Sequence, residues 1–172
     1  MAEKQSIGWI GLGKMGIPMS QNLVKEGYSL TVYNRSTEKT KELADVGAQV
    51  ADSPKDAAAA SDIIISMISD DAVLEAVSTG PGGAFEGAKE GSIYIDMSTV
   101  SPQASARVAA AAEAKGIKYL RAPVSGSTVL ATAGTLTIFA SGPADAYEQC
   151  VELFEIMGQK SFHVGTAKKN TR

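Results

Sequence analysis

The chain has 172 residues, a length that suits one globular domain able to bury a core of useful size. Apolar residues make up 44% and charged residues 20%, and the formal net charge of −3 provides no basic field for nucleic acid or an anionic membrane. The single cysteine, Cys150, excludes an internal disulfide and makes a reducing compartment the default, while the single histidine, His163, excludes a histidine-rich metal site.

No apolar run approaches the roughly 20 residues of a membrane helix. The leading Met1-Ala2-Glu3-Lys4-Gln5 is polar and resembles neither a signal nor a transit peptide. The cytoplasm is the expected location, with an organelle left open should a leader have been removed.

In chain order, Ser6 to Ile10 reads as a first strand, followed by a glycine loop and a helix to about Glu26. Ser29 to Tyr33 reads as a second strand. Ser36 then begins a helix that ends near Gly47, and Gln49-Val50 starts a short third strand. Ser53-Pro54 marks a helix start, because serine accepts from free amides and proline fits the first turn. Ser101-Pro102 repeats the device, and Gly142-Pro143 resembles it. Gly116 and Gly158 stand where C-caps are expected. Asp62 to Met67 and Ser92 to Asp96 are continuously apolar, as in strands covered on both faces. Lys118 to Ala122, Leu136 to Ala140 and Ser161 to Val164 read as later strands. Strands alternating with helices imply a mostly parallel sheet with right-handed crossovers, the Rossmann-type doubly wound α/β class.

Gly11-Leu12-Gly13-Lys14-Met15-Gly16 has the spacing G-x-G-x-x-G directly after the first strand and at the start of a helix. In that context each glycine has a physical job: Gly11 permits the tight turn, Gly13 lets backbone approach a pyrophosphate, and Gly16 lets the helix pack closely on the strand. The helix start adds free amides and a positive dipole end. A glycine-rich turn without a ligand is the bland alternative.

The second strand ends Val32-Tyr33-Asn34-Arg35-Ser36-Thr37. NAD-binding domains commonly place Asp or Glu about 20 residues beyond the loop, accepting from the ribose 2′-hydroxyl. Asn34 holds that place here, and no carboxylate follows until Glu38. Arg35 can clamp a 2′-phosphate with two donors, with Ser36, Thr37 and Lys39 beside it. NADP(H) is therefore expected over NAD(H). The alternative is a solvated Arg35, with Ser36 acting only as a helix N-cap.

The longer stretch Gly11-Leu12-Gly13-Lys14-Met15-Gly16-Ile17-Pro18-Met19, with Gln21-Asn22-Leu23, resembles the signature of the β-hydroxyacid dehydrogenases. That family includes 3-hydroxyisobutyrate dehydrogenase and the glyoxylate/succinic semialdehyde reductases and is related to 6-phosphogluconate dehydrogenase. Val32 to Ser36, Ile95-Asp96-Met97-Ser98-Thr99 and Ala122-Pro123-Val124-Ser125-Gly126-Ser127 are similar to its cofactor-selecting turn, nicotinamide-side strand end and substrate loop. The Arg35 and Ser-Gly-Ser details look closest to the glyoxylate/succinic semialdehyde reductases. The resemblance implies hydride transfer between NADPH and a small β-hydroxyacid or its aldehyde or keto counterpart. It also implies that Met67, Ile68, Ser69 and Thr99 line the cofactor and that Ser125 and Gly126 hold a substrate carboxylate. Each has a plainer reading as core, turn or empty loop.

The resemblance places the family's acid/base lysine in a G-x-G-x-x-x-K-x-x-x-N pattern at the start of an all-helical second domain that usually builds the oligomer. Here Gly165 is followed by Thr166-Ala167-Lys168-Lys169-Asn170-Thr171-Arg172, with Lys168 and Asn170 where the pattern has glycines. The expected division is therefore a cofactor domain at 1–165 and, at 166–172, a truncated start of the interdomain helix or a tail. No catalytic residue is expected within the chain. A shortened form of a full enzyme and a half-length protein that only binds nucleotide both fit. Of the remaining residues, Cys150 is expected as a small buried hydrophobe, Trp9 as packing, and His163 without a triad.

Overall fold

The computed structural model describes residues 4–165, so Lys168, Lys169 and Asn170 lie outside the described residues. Strand β1 (Ile7–Ile10) feeds the glycine loop and helix α1 (Gly16–Lys25). β2 (Leu30–Tyr33) follows, then α2 (Lys41–Ala44), β3 (Gln49–Val50) and α3 (Pro54–Ala59). The second half runs β4 (Ile63–Ser66), α4 (Asp71–Ser78), α5 (Ala84–Gly87), β5 (Ile93–Asp96), α6 (Pro102–Ala114) and β6 (Lys118–Arg121). β7 (Val124–Ser125), α7 (Thr128–Ala133), β8 (Leu136–Ala140), α8 (Ala144–Met157) and β9 (Gly158–His163) complete the described chain.

The first six strands form one parallel sheet in the order β3-β2-β1-β4-β5-β6. This is the doubly wound arrangement, with the chain reversing direction across the sheet between β1 and β4. Alternate residues of each central strand supply two cores. Ile7, Trp9, Leu30, Val32, Ile63, Ile65, Ile93 and Ile95 face α1, α2 and α8. Ile10, Ile64 and Tyr94 face α4, α5 and α6. Burial on both faces explains the unbroken Ile63-Ile64-Ile65 run.

The two Ser-Pro helix starts carry the expected chemistry, while Gly142-Pro143 starts α8 without a side-chain cap. Ser53 Oγ accepts from Asp56 N at 3.0 Å and Ser101 Oγ from Ala104 N at 3.1 Å, each with proline following. Asp70, which the sequence reading did not single out, caps α4 through Val73 N at 2.9 Å.

Several expectations need correction. The late strands do not extend the main sheet. β7, β8 and β9 form a separate three-stranded sheet, with β7 antiparallel to β8 and β9 parallel to it. Beyond the last β5–β6 bond, from Ala122 N to the Asp96 carbonyl, the Pro123 carbonyl accepts from Phe139 N and carries the chain into the second sheet. The segment after Ser36 is not a continuous helix. A 3₁₀ turn (Thr37–Thr40) runs into the single turn of α2, and Ser36 makes no side-chain cap bond. Gly116 is left-handed as expected, but Gly158 is extended at φ −138°, and α8 passes directly into β9. A side chain at Gly158 would lie 2.5 Å from the Leu136 carbonyl, so close approach explains this glycine. Helices α4, α5 and α7 were not anticipated.

α1 is seated on the strand that precedes it. A Cβ at Gly16 would overlap the Gly11 carbonyl oxygen and lie 3.4 Å from the Trp9 indole nitrogen. Gly16→Ala is expected to lower the unfolding free energy by about 1–3 kcal/mol, the usual cost of overpacking. Urea unfolding followed by circular dichroism measures it, and an unchanged midpoint would contradict this packing.

Candidate cofactor site

The loops after β1 and β4 diverge where the sheet order reverses, which leaves a crevice at the carboxyl ends of the strands. The glycine loop forms one wall. Gly11 sits at φ +104°, and a Cβ there would overlap the Met67 carbonyl oxygen, so the position needs glycine both for its backbone angle and for space. Gly13 differs: a Cβ there would find no atom within 4 Å. The space above Gly13 is thus open to an outside group.

The loop amides divide in two. Gly11 N donates to the Tyr33 carbonyl at 3.0 Å, and Leu12 N donates to Asn34 Oδ1 at 2.9 Å. The amides of Gly13, Lys14 and Met15 have no acceptor among the described residues. α1 has no acidic residue in its first turn and no side-chain cap at Met15. Its positive end is therefore uncovered toward the crevice, which suits a phosphate. Lys14 is exposed and Met15 half-buried. Leu12 is placed otherwise than expected: its side chain is fully buried in the core and its amide is engaged by Asn34.

Beside the loop lies a cavity of about 360 Å³. Gly11, Asn34, Arg35 and Ile68 line it, so four of the expected residues share one chamber. Sequence reasoning missed its opposite wall of Ala72, Val73, Ala76 and Val77 from α4, closed by Pro54 and Pro81. Their i, i+1, i+4, i+5 spacing was a readable signal of one apolar helix face. Small apolar walls leave room for a flat ring, and exposed Arg35 and Ser36 stand at the rim. Pyrophosphate at the free amides and a nucleoside in this chamber fit the residues present. A larger groove of about 730 Å³ between α6 and the β6 edge contains none of the expected residues.

Residues 6–165 match the family described as the NAD binding domain of 6-phosphogluconate dehydrogenase. The chain belongs to this family. Within it, an uncharacterised oxidoreductase of Bacillus subtilis is 43% identical over 163 residues, which are 95% of this chain and 57% of that protein. Glyoxylate/succinic semialdehyde reductase 1 of Arabidopsis thaliana is 39% identical, over 92% of this chain and 55% of that protein. The structure of Mycobacterium tuberculosis 3-hydroxyisobutyrate dehydrogenase with L-serine superposes with a TM-score of 0.91 at 32% identity, covering 96% of this chain and 56% of that one. The resemblance to β-hydroxyacid dehydrogenases therefore holds, and the chain is an NAD(P)-binding domain of that type. It spans about half the length of the curated relatives it matches.

Further along this NAD(P)-binding domain, the ends of β4 and β5 are tied together by side chains. Ser66 Oγ donates to Asp96 Oδ1 at 2.9 Å, and Ser98 N reaches the same oxygen at 3.2 Å. Ser98 Oγ in turn accepts from Ile68 N at 2.8 Å. Half-buried Met67 and Ile68 and exposed Thr99 are carried on this tie. Ser125 and Gly126 lie apart from the nucleotide cavity, in β7 and the turn after it. Gly126 has φ +144°, and a Cβ there would meet Leu136 Cδ2 at 2.7 Å. α7, which follows, is held to α1 by Asn22 Nδ2 donating to the Ala131 carbonyl at 2.9 Å.

The other titratable candidates are occupied or buried. Burial pushes the Cys150 thiol up to about 12. His163 Nε2 lies 2.9 Å from the Gly142 carbonyl, and its ring stacks on Tyr147. Among the described residues, no group of three or more His, Cys, Asp or Glu could hold a metal, and no helix is long and apolar enough to cross a membrane.

Asp96 is fully buried, and its Oδ2 has no partner among the described residues. Burial raises its pKa, opposed by the hydrogen bonds from Ser98 and Ser66 and by the Arg121 charge. The folded protein thus holds this proton to higher pH than the unfolded chain does. Stability falls as pH rises from the ordinary carboxylate range through the raised value. Asp96→Asn keeps the acceptor and removes the titration. The melting temperature of the variant should gain on the wild type as pH rises above the ordinary carboxylate range of about pH 4. Parallel curves would contradict a strained carboxylate.

Gly13→Ala provides a second expectation. No internal clash opposes the methyl group, so the variant should unfold with the wild-type midpoint. It should nevertheless lose about tenfold or more in affinity for a dinucleotide, because the methyl fills the approach to the free amides. Titration of both proteins with NADPH, followed by quenching of Trp9, reads this directly.

Proposed function

We propose that the chain binds NADP(H) as the cofactor half of an oxidoreductase acting on a small β-hydroxyacid or on its aldehyde or keto counterpart. The observation that carries the cofactor choice is the end of β2. Position 34 offers no carboxylate to a ribose, and Arg35, with no ion-pair partner among the described residues, lines the cavity. The amides of Gly13, Lys14 and Met15 hold the pyrophosphate, Gly11 and Gly16 make the turn that presents them, and Leu12 shapes the loop from below. Asn34, Arg35 and Ser36 form the 2′-phosphate turn. Met67 and Ile68 line the cofactor beyond β4, Thr99 contacts it near the nicotinamide, and Ser125 with Gly126 receives the substrate carboxylate. The nicotinamide supplies the hydride. By the family resemblance, a lysine handles the hydroxyl proton. A reducing compartment, the cytoplasm first, suits the lone buried thiol. The family resemblance makes a homo-oligomer the expected assembly of longer relatives.

A second reading has its own observation. The chain covers 55–57% of the relatives compared above, and a protein acting at this length would bind nucleotide without turnover. Turnover on incubation with NADPH and glyoxylate or succinic semialdehyde would overturn this second reading, and binding without oxidation at the nicotinamide band is the outcome expected for these 172 residues.

Arg35→Ala is expected to weaken NADPH binding about 10–100-fold, the loss of a charge-assisted paired contact, with NADH changed by about twofold at most. Calorimetry with both nucleotides measures it. Equal losses for both would place Arg35 on the adenine and not on a phosphate.

A further inference from the structure

The site at the end of β2 contains a bridge that neither composition nor motif reveals. Asn34 Oδ1 accepts from Leu12 N at 2.9 Å, and Asn34 Nδ2 donates to the Ser36 carbonyl at 2.9 Å. Gly11 N already donates to the Tyr33 carbonyl at 3.0 Å. The Asn34 side chain therefore adds one more rung to the β1–β2 ladder, just past the last strand residues. One end of the carboxamide fixes the glycine loop, and the other fixes the turn that carries Arg35 and Ser36.

We infer that Asn34 is a positioning residue for cofactor specificity, one that sets the Arg35–Ser36 turn against the glycine loop and does not itself read the ribose. The inference rests on the NADP(H) reading above for the ligand, but the bridge stands on protein groups alone. Its chemistry demands an amide. The loop end needs an acceptor and the turn end needs a donor, and asparagine presents both on one planar group. Aspartate would keep the acceptor for Leu12 N and set a second oxygen against the Ser36 carbonyl. Two acceptors facing each other would push the turn away from the loop. Alanine would leave the Leu12 amide without its partner.

The test uses the whole chain with Asn34→Ala and Asn34→Asp, each also in an Arg35→Ala background. The probes are NADPH and NADH, with amide hydrogen exchange at Leu12 as an independent readout. Asn34→Asp should lower NADPH affinity about tenfold without raising NADH affinity. A several-fold gain for NADH would show that position 34 reads the ribose, and would overturn the proposal. Asn34→Ala should lower the NADPH-to-NADH preference in the wild-type background and leave it unchanged once Arg35 is gone. An equal effect in both backgrounds would also overturn it. Leu12 exchange should speed up in Asn34→Ala and stay slow in Asn34→Asp. Unchanged protection in the alanine variant would remove the bridge altogether. If the wild type showed no preference between the nucleotides, the NADP(H) reading would fail. Leu12 exchange would then still decide whether the bridge exists.

Discussion

The Gly11 carbonyl is where strand, loop and helix meet. Gly11 turns at φ +104°, which points its oxygen back over β1. There the buried Trp9 indole N–H donates to it at 2.8 Å, and the first residue of α1 is pressed against it without a side chain between. A buried carbonyl left unpaired costs about 1–3 kcal/mol, so the indole makes this tight turn tolerable. Trp9 was expected only as packing. Its ring does pack in the core, but its nitrogen also fixes the direction in which the loop leaves the strand. The orientation of α1, and hence of the amides at its start, follows from that one contact.

A second constraint acts from the other side of the crevice. The loop after β4 cannot drift, because Met67 N donates to the Ile10 carbonyl and Ile68 N is held by Ser98, which is itself oriented by Asp96. The Met67 carbonyl then sits where any side chain on Gly11 would have to go. The cavity therefore has two walls that limit each other. It gains shape at the expense of a buried carboxyl group whose proton is held unusually tightly. Burying such a group is unfavourable in isolation, and its survival in the neutral or paired form depends on the hydrogen bonds from Ser66 and Ser98.

How much of this was readable follows from the range of each interaction. The sheet strands announced themselves because burial on both faces leaves unbroken apolar runs such as Ile63-Ile64-Ile65, and helix starts did so because Ser-Pro is a local signal. The glycine spacing located the loop, and Arg35 located the rim. The small sheet did not show, because nothing local says whether a strand such as Leu136–Ala140 joins one sheet or another. Helix α4 went unread although its small apolar face lines the cavity, since a stripe of alanine and valine looks like any core-facing helix. Asn34 was read as a missing acid. That it engages Leu12 and Ser36 depends on a contact 22 residues away, which no window of sequence contains.

The same geometry separates two tasks that hydride transfer requires. Holding a dinucleotide needs fixed backbone, open space at Gly13 and a cation at the rim, and the described residues bring these together. Moving a hydroxyl proton needs a titratable side chain that reaches the substrate. Asp96, Cys150 and His163 are each engaged elsewhere. Asp96 is sealed in the core with one oxygen engaged by Ser66 and Ser98. Cys150 is buried with its thiol pushed up to about 12. His163 is engaged with Gly142 and Tyr147. The NAD(P)-binding half of such a site is therefore built largely from backbone turns, and these three side chains serve the packing around it.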